Sequence, residues 1–258
     1  MQGHFAKKKI NEHALPFHRP GSPRQAEGCR SFQTLTLMRV YYLTGAQFAL
    51  SNLALRRIKI SRFADLNDPF ELLGIDVNDK SHRAAFRTTK DEINKNKGLI
   101  CFSKSWSNPL MWGHYAERHT GICLGFDIPD ELLAPVIYAK QLLKMQMDKK
   151  TKKPIPTEKV VNQLLRTKFF DWKYEDEIRL FVELDHDTVE SGKYFCSFSE
   201  DLALREIILG PHCELPIEGI RSIVADFDPS VKVLKSRIAF TRFEVRENKA
   251  ASRTPTRS

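Results

Sequence analysis

The segment Glu177-Ile178-Arg179-Leu180-Phe181-Val182-Glu183-Leu184 alternates in polarity with period two over most of its length. Such alternation predicts a β-strand, because successive strand side chains point to opposite faces. Ile178, Leu180, Val182 and Leu184 share one face, and Glu177, Arg179, Phe181 and Glu183 share the other. Just upstream runs Asp171-Trp172-Lys173-Tyr174-Glu175-Asp176, so acids and an arginine crowd the mouth of a half-buried strand. Charges in that position are either solvated or working. Any fold for this chain has to give them one environment or the other.

Around this strand the chain reads as many short strands with irregularly spaced helices. Strands are expected near residues 38–43, 58–60, 99–103, 121–127, 193–196, 205–210, 231–235 and 240–245. Helices are expected over 45–54, with Thr44 as the cap, and over 81–96, 110–117 and 216–225. A further helix begins at Thr157, with Val160, Val161, Leu164 and Leu165 at helical spacing to dock one face. Strands and helices that do not alternate regularly argue for an α+β fold with a mixed or antiparallel sheet. We read residues 38–245 as a single domain. Residues 1–37 and 246–258 are polar and charged, without sustained periodicity, and are expected to be disordered. Patterning begins abruptly at Met38, which is expected as the native start, the preceding segment being an over-called reading frame.

A net charge of +9 suggests nucleic acid until its distribution is considered. Residues 1–37 carry +4 and residues 246–258 carry +3, which leaves +2 for the domain. Within the domain, residues 139–168 alone hold nine Lys/Arg and two acids, so the remainder is near −5. That basic helical insertion is read as a solvated face or, alternatively, as a surface for an acidic partner, RNA or protein. Five dispersed cysteines with no C-x-x-C spacing indicate neither a disulfide framework nor a zinc site, and fit a reducing cytoplasm. No metal is expected. No apolar run approaches the roughly 20 residues of a membrane span, so no membrane partner is expected.

The motifs Asn67-Asp68-Pro69-Phe70-Glu71, Cys101-Phe102-Ser103 and Met111-Trp112-x-His114-Tyr115-Ala116 stand out. They are followed by Gly121-Ile122-Cys123, Trp172-x-Tyr174-Glu175-x-Glu177-x-Arg179-Leu180 and Ile207-Ile208-Leu209-Gly210. In this order they resemble the bacterial domain-of-unknown-function family 2971, over roughly residues 38–245. That resemblance implies a fold neighbourhood and candidate residues, with no reaction attached.

More distantly, the order of a first-strand Arg39 or Tyr41, then Ser103, then Glu175-x-Glu177 is similar to the Arg/His, Ser/Tyr, Glu scheme of ADP-ribosyltransferases. The sequence departs from it in having Ser103-Lys104-Ser105 for Ser-Thr-Ser and in lacking a His-Gly start. The resemblance implies NAD as substrate, with Glu177 stabilising a positively charged, ribose-centred transition state and Glu175 orienting the acceptor. Arg39 would hold pyrophosphate, and Tyr115 or Trp112 would stack on a ring. Tyr41, Asn67, Asp68, His114 and Arg179 complete the expected cleft. A toxin or phage-defence setting is compatible with that reading.

Each motif also has a plainer explanation. Glu175 and Glu177 can be a surface ion-pair array with Lys173 and Arg179. Asn67-Asp68-Pro69 can be a structural turn, and Trp112 and Tyr115 can be core wedges. Arg179, flanked by Ile178 and Leu180, requires a nearby partner, for which Glu177 or Asp68 is expected. The competing function is a non-catalytic ligand- or protein-binding module. No phosphate loop, dinucleotide fingerprint, nucleophile elbow or H-E-x-x-H pair occurs.

Overall fold

A computed structural model describes residues 36–75, 80–143 and 157–253. The first half contains β1 (Leu37–Thr44), α1 (Ala46–Leu55), β2 (Arg57–Ile60), α2 (Lys80–Asn96) and β3 (Lys97–Ser103). It continues with α3 (Pro109–Tyr115), β4 (Ile122–Pro129), β5 (Leu133–Pro135) and β6 (Ile137–Ala139). The second half adds α4 (Glu158–Leu164), β7 (Thr167–Phe169), β8 (Glu177–Glu183) and β9 (Tyr194–Ser197). It closes with β10 (Ala203–Leu209), α5 (Ile217–Ala225), β11 (Lys232–Ile238), β12 (Val245–Glu247) and α6 (Lys249–Ser252). The result is a single α+β domain around one mixed sheet.

That sheet has the order β12-β11-β10-β4-β1-β3-β8-β5, and its neighbours are antiparallel except for β10 and β11. Both edge strands are three residues long, which limits edge-to-edge pairing with another chain. β1 is central because its alternation serves two cores. Val40 belongs to a cluster with Phe102, Phe126 and Leu180 on the face covered by α1 and α5, whereas Leu43 packs with Trp112, Cys123 and Ile208 on the other. A third cluster under α4 unites Phe63, Leu72, Leu99, Leu164, Leu165 and Phe181. The docking expected of α4 is therefore what the fold displays.

Because elements cover both faces, β8 is buried along nearly its whole length and is not half-solvated. Its charged face points into the protein. The plainer reading of Glu175 and Glu177 as a surface array is thereby overturned.

Several local expectations are corrected. Thr44 ends β1 as a buried residue, and Gly45 starts α1 without a side-chain cap. The 139–168 segment is not a simple helical appendage: β6 and β7 pair in parallel and tie its ends to the domain. Its lysines at 144, 149, 150, 152 and 153 lie outside the described residues. The tail is ordered through residue 253, where 246–258 was expected to be disordered. Val245 N–H donates to the Ser107 carbonyl at 2.8 Å, Asn248 caps α6, and Arg221 donates to the Ser252 carbonyl at 2.6 Å. Long-range partners thus supply what local composition lacks. The expectation for residues 1–37 falls, up to residue 35, outside the described residues, and Leu37 is part of β1.

Two glycines of the motifs are explained by close approach. A Cβ on Gly210 would sit 2.3 Å from the His119 carbonyl oxygen, and one on Gly121 would sit 2.3 Å from that of Thr44. Gly210 N–H donates to the Gly121 carbonyl at 2.9 Å, so backbone packs on backbone. Gly210→Ala is expected to lower unfolding free energy by about 1–3 kcal/mol, as overpacking of a filled interior does. Urea denaturation checks it, and an unchanged midpoint would contradict the packing argument.

Candidate functional site

Cross-strand register builds the site. Tyr41 on β1 is opposite Ser103 on β3, and Ser103 is opposite Glu177 on β8. The three residues form one row across adjacent strands, and all three line a single cavity of about 210 Å³. Asn67, Glu71, Tyr115, Lys168 and Glu175 line it as well.

Glu175 and Glu177 reach the cavity from different elements. Glu175 ends a 3-10 turn over Phe170–Glu175, Asp176 adopts a left-handed conformation (φ 42°), and Glu177 opens β8. The expected strand-borne pair is therefore half turn and half strand. The left-handed residue brings both glutamates to the same ammonium, while Asp176 itself stays exposed and pairs with Lys104 at 3.6 Å. Asp tolerates this conformation better than most residues, because its short polar side chain bonds locally.

Lys168, on β7, is the residue that the sequence reading missed. Its Nζ donates to Glu175 Oε2 at 2.5 Å and to Glu177 Oε2 at 3.0 Å, and it lies 4.9 Å from the Trp172 ring centre. Behind it, Arg179 is completely buried. Its Nε donates to Glu177 Oε1 at 2.8 Å, its Nη2 to Glu71 Oε1 at 2.5 Å, and its Nη1 to Glu71 Oε2 at 3.1 Å and the Leu165 carbonyl at 2.8 Å. The arginine thus pairs with Glu177 as expected, but its second partner is Glu71 and not Asp68. Both belong to the Asn67–Glu71 motif, whose last residue carries the charge that matters.

Two cations therefore face three carboxylates. Full ionisation would leave one uncompensated negative charge, which burial penalises. Burial pushes Glu175 and Glu71 above the ordinary carboxylate range despite their cationic partners. It acts on Glu177 too, but Arg179 and Lys168 outweigh it and hold that carboxyl at about 2. Burial also opposes the charge on Lys168, and Glu177 with Glu175 reverses the effect and raises it. Both oxygens of Glu71 are committed to guanidinium donors that cannot accept. Glu175 instead faces the Tyr115 hydroxyl, which can turn from donor to acceptor. Of the three carboxylates, Glu175 is therefore the one best placed to take up a proton.

This asymmetry sets the acid behaviour of the protein. A carboxyl lowered on folding stabilises the native state above its unfolded value, and that contribution disappears as pH falls through the folded value. The Glu177 contribution is therefore lost between the ordinary 4.5 and about 2. Glu175, being raised, acts in the opposite sense: its contribution is present at low pH and is lost as pH rises through its folded value. Glu177→Gln is expected to flatten the fall in urea stability between pH 4.5 and pH 2. An unaltered profile in the variant would contradict the assignment.

The other expected residues divide between cavity and scaffold. Ser103 is buried, and its hydroxyl donates to the Ser105 carbonyl at 2.9 Å while accepting from Ser105 N–H at 3.3 Å. Its proton is committed to the turn that closes this wall. Tyr41 lines the cavity but its hydroxyl donates to Glu206 Oε2 at 3.4 Å, away from Ser103 and Glu177, and burial, with Glu206 adding to it, pushes it up to about 12. Asn67 lines the cavity and interacts with Tyr115. Asp68 makes the turn of the plainer reading, with Oδ1 accepting from Phe70 N–H at 2.9 Å.

Five expected ligand-binding residues, Asp68 among them, do not line the cavity. Arg39 is engaged by Asp127 at 2.6 Å and Glu206 at 2.9 Å, so its guanidinium is not free for a pyrophosphate. Trp112 is fully buried and donates Nε1–H to the Trp106 carbonyl at 2.6 Å, which makes it a core wedge and not a stacking platform. His114 is exposed, its ring centre 5.8 Å from that of Tyr174. Arg179 lies behind the cavity wall and fixes Glu177 from the rear. Cys101, on the cavity lining, is a further missed residue, and burial raises its thiol well above the ordinary value. Among the described residues no cluster of three or more His, Cys, Asp or Glu is arranged to hold a metal ion. No described helix is long and apolar enough to cross a membrane.

No curated protein and no solved structure matches this chain. The segment that carries Tyr115, Lys168, Glu175, Glu177 and Arg179 does have a counterpart: residues 111–180 match the sequence model of the family described as "Protein of unknown function (DUF2971)".

Proposed function

We propose that the cavity receives the ribose end of a nicotinamide dinucleotide and that the protein breaks, or transfers from, its N-glycosidic bond. The supporting observation is the row Tyr41, Ser103 and Glu177 across three neighbouring strands on one cavity wall, with Glu177 fixed as an anion. A carboxylate oriented before the reaction stabilises positive charge that develops only in the transition state. In the step proposed, the bond between the ribose C1′ and the pyridinium nitrogen breaks and its electron pair leaves with nicotinamide. An oxygen of water or of an acceptor bonds C1′ and gives its proton to Glu175. A carboxylate whose proton affinity is raised by burial is a better base than an ordinary glutamate. The cavity, about 210 Å³, is smaller than the ~300–1,000 Å³ typical of small-molecule pockets, so it suits one end of a dinucleotide.

A second reading, a non-catalytic ligand-binding module, is favoured by one specific observation. The Lys168 ammonium already bridges the two carboxylates, so a cationic ligand centre competes with it. The readings separate in one experiment, in which NAD is incubated with the protein, nicotinamide release is followed by chromatography, and NAD binding is measured by calorimetry. Release supports the enzyme. Binding without release supports the module, and neither result leaves the dinucleotide excluded.

A further inference from the structure

The hairpin joining β11 and β12 carries the two most exposed aromatic side chains among the described residues. Phe240 is 92 % exposed and Phe243 101 % exposed, both on the loop that turns the chain between Ile238 and Val245. Large apolar rings held wholly in water cost free energy unless something covers them. Their surroundings say what that is. Residues 237–253 contain Arg237, Arg242, Arg246, Lys249 and Arg253 against Glu244 and Glu247, a local +3, whereas residues 38–236 outside the basic 139–168 segment sum to −6. The Arg237 guanidinium lies 5.0 Å from the Phe240 ring centre, so cation and ring already form one composite surface.

Beside the tip is an open groove of about 800 Å³. Its walls carry Arg237, Arg246 and Lys249 beside Trp106 and Asn248, against Glu244 and Glu247, and Arg246 is paired with Glu244 at 2.7 Å. Acyl chains would gain little from such polar walls, and an acidic peptide would leave the rings uncovered. A polyanion with flat apolar faces satisfies both features. We propose that this hairpin and groove bind single-stranded nucleic acid, with bases stacking on Phe240 and Phe243 and phosphates running past Arg237, the exposed Arg242 and Lys249. Stacking on aromatic rings in a basic groove is how single strands are held without sequence preference. The site is separate from the Glu177 cavity and does not depend on chemistry there.

The test uses the full chain and fluorescently labelled RNA and DNA single strands of about 20 nucleotides, longer than the ~4–16 that one such groove covers. Anisotropy should report binding at low salt that weakens steeply as salt is added. Phe240→Ala/Phe243→Ala should weaken binding about tenfold or more, since each stacked base contributes substantially. Its thermal midpoint should be unchanged, because neither ring belongs to a core cluster. Arg242→Glu should reduce the salt dependence, again without loss of fold. The proposal is overturned if the wild-type chain binds no strand, or if the double variant binds as tightly as the wild type. It is also overturned if mixed phosphatidylserine and phosphatidylcholine vesicles are bound through the two rings while strands are not.

Discussion

Arg179→Met is expected to lower the unfolding free energy by about 3–5 kcal/mol, the cost of removing one partner from a buried ion pair. Methionine fills similar space, so the loss is not mainly a cavity. Arg179 is fully buried, and its Nη1 and Nη2 each donate to one carboxylate oxygen of Glu71. Without it, Lys168 alone faces Glu71, Glu175 and Glu177, and the Leu165 carbonyl loses its donor. Protonation can then rescue the fold by neutralising Glu71, so the variant should regain stability as pH is lowered. Urea unfolding at pH 8 and pH 5 reads both effects. A second substitution, Glu71→Gln in the Arg179→Met background, should restore part of the loss, because contacting partners are not additive. A loss well under 1 kcal/mol, or two independent losses that simply sum, would show that water compensates Glu71 and that no buried network exists.

The fold was largely legible because strand periodicity is local. The alternation of Glu177–Glu183 gives the strand and assigns its two faces, and the run at Met38–Leu43 gives β1. What periodicity cannot reveal is whether the polar face meets water. In β8 it does not, since α4 and the loop at Phe63–Leu72 cover it, and that cover comes from segments distant in sequence. The same distance hid the network. Glu71 and Arg179 are 108 positions apart, and nothing in the motif Asn67–Glu71 distinguishes Glu71 from a solvated acid until the arginine is seen beside it. Lys168 was less visible still, being one of nine basic residues in a segment whose charge suggested solvent. Its strand, β7, is three residues long and exists because β6 pairs with it, so no propensity window could find it. Conversely, the residues singled out by chemical type alone, Arg39 and Trp112, have satisfied partners elsewhere. Residue type proposes a role, and only the partner decides it.

Glu177→Gln is expected to reduce nicotinamide release by about 10²–10³-fold, the loss typical of removing one oriented electrostatic contact to a transition state. Folding should survive, because the substitution removes the surplus negative charge: Arg179 and Lys168 then face Glu71 and Glu175 with charges balanced. This separates the variant from Arg179→Met, in which charge balance worsens. Glu175→Gln balances the network equally well but leaves the fixed anion in place. It should therefore slow attack by the acceptor oxygen, with a smaller effect on NAD binding. Lys168→Met provides the third leg. The lysine holds the Glu175 carboxyl below where burial alone would put it, so its removal should move the acidic limb of the pH–rate profile, set by Glu175 acting as base, to higher pH. If Glu177→Gln retains wild-type release with its fold intact, the anion is not facing the reacting ribose. The cluster of Lys168, Glu175, Glu177 and Arg179 is then a structural clamp that holds β8 against β7, and the cavity in front of it is a binding pocket only.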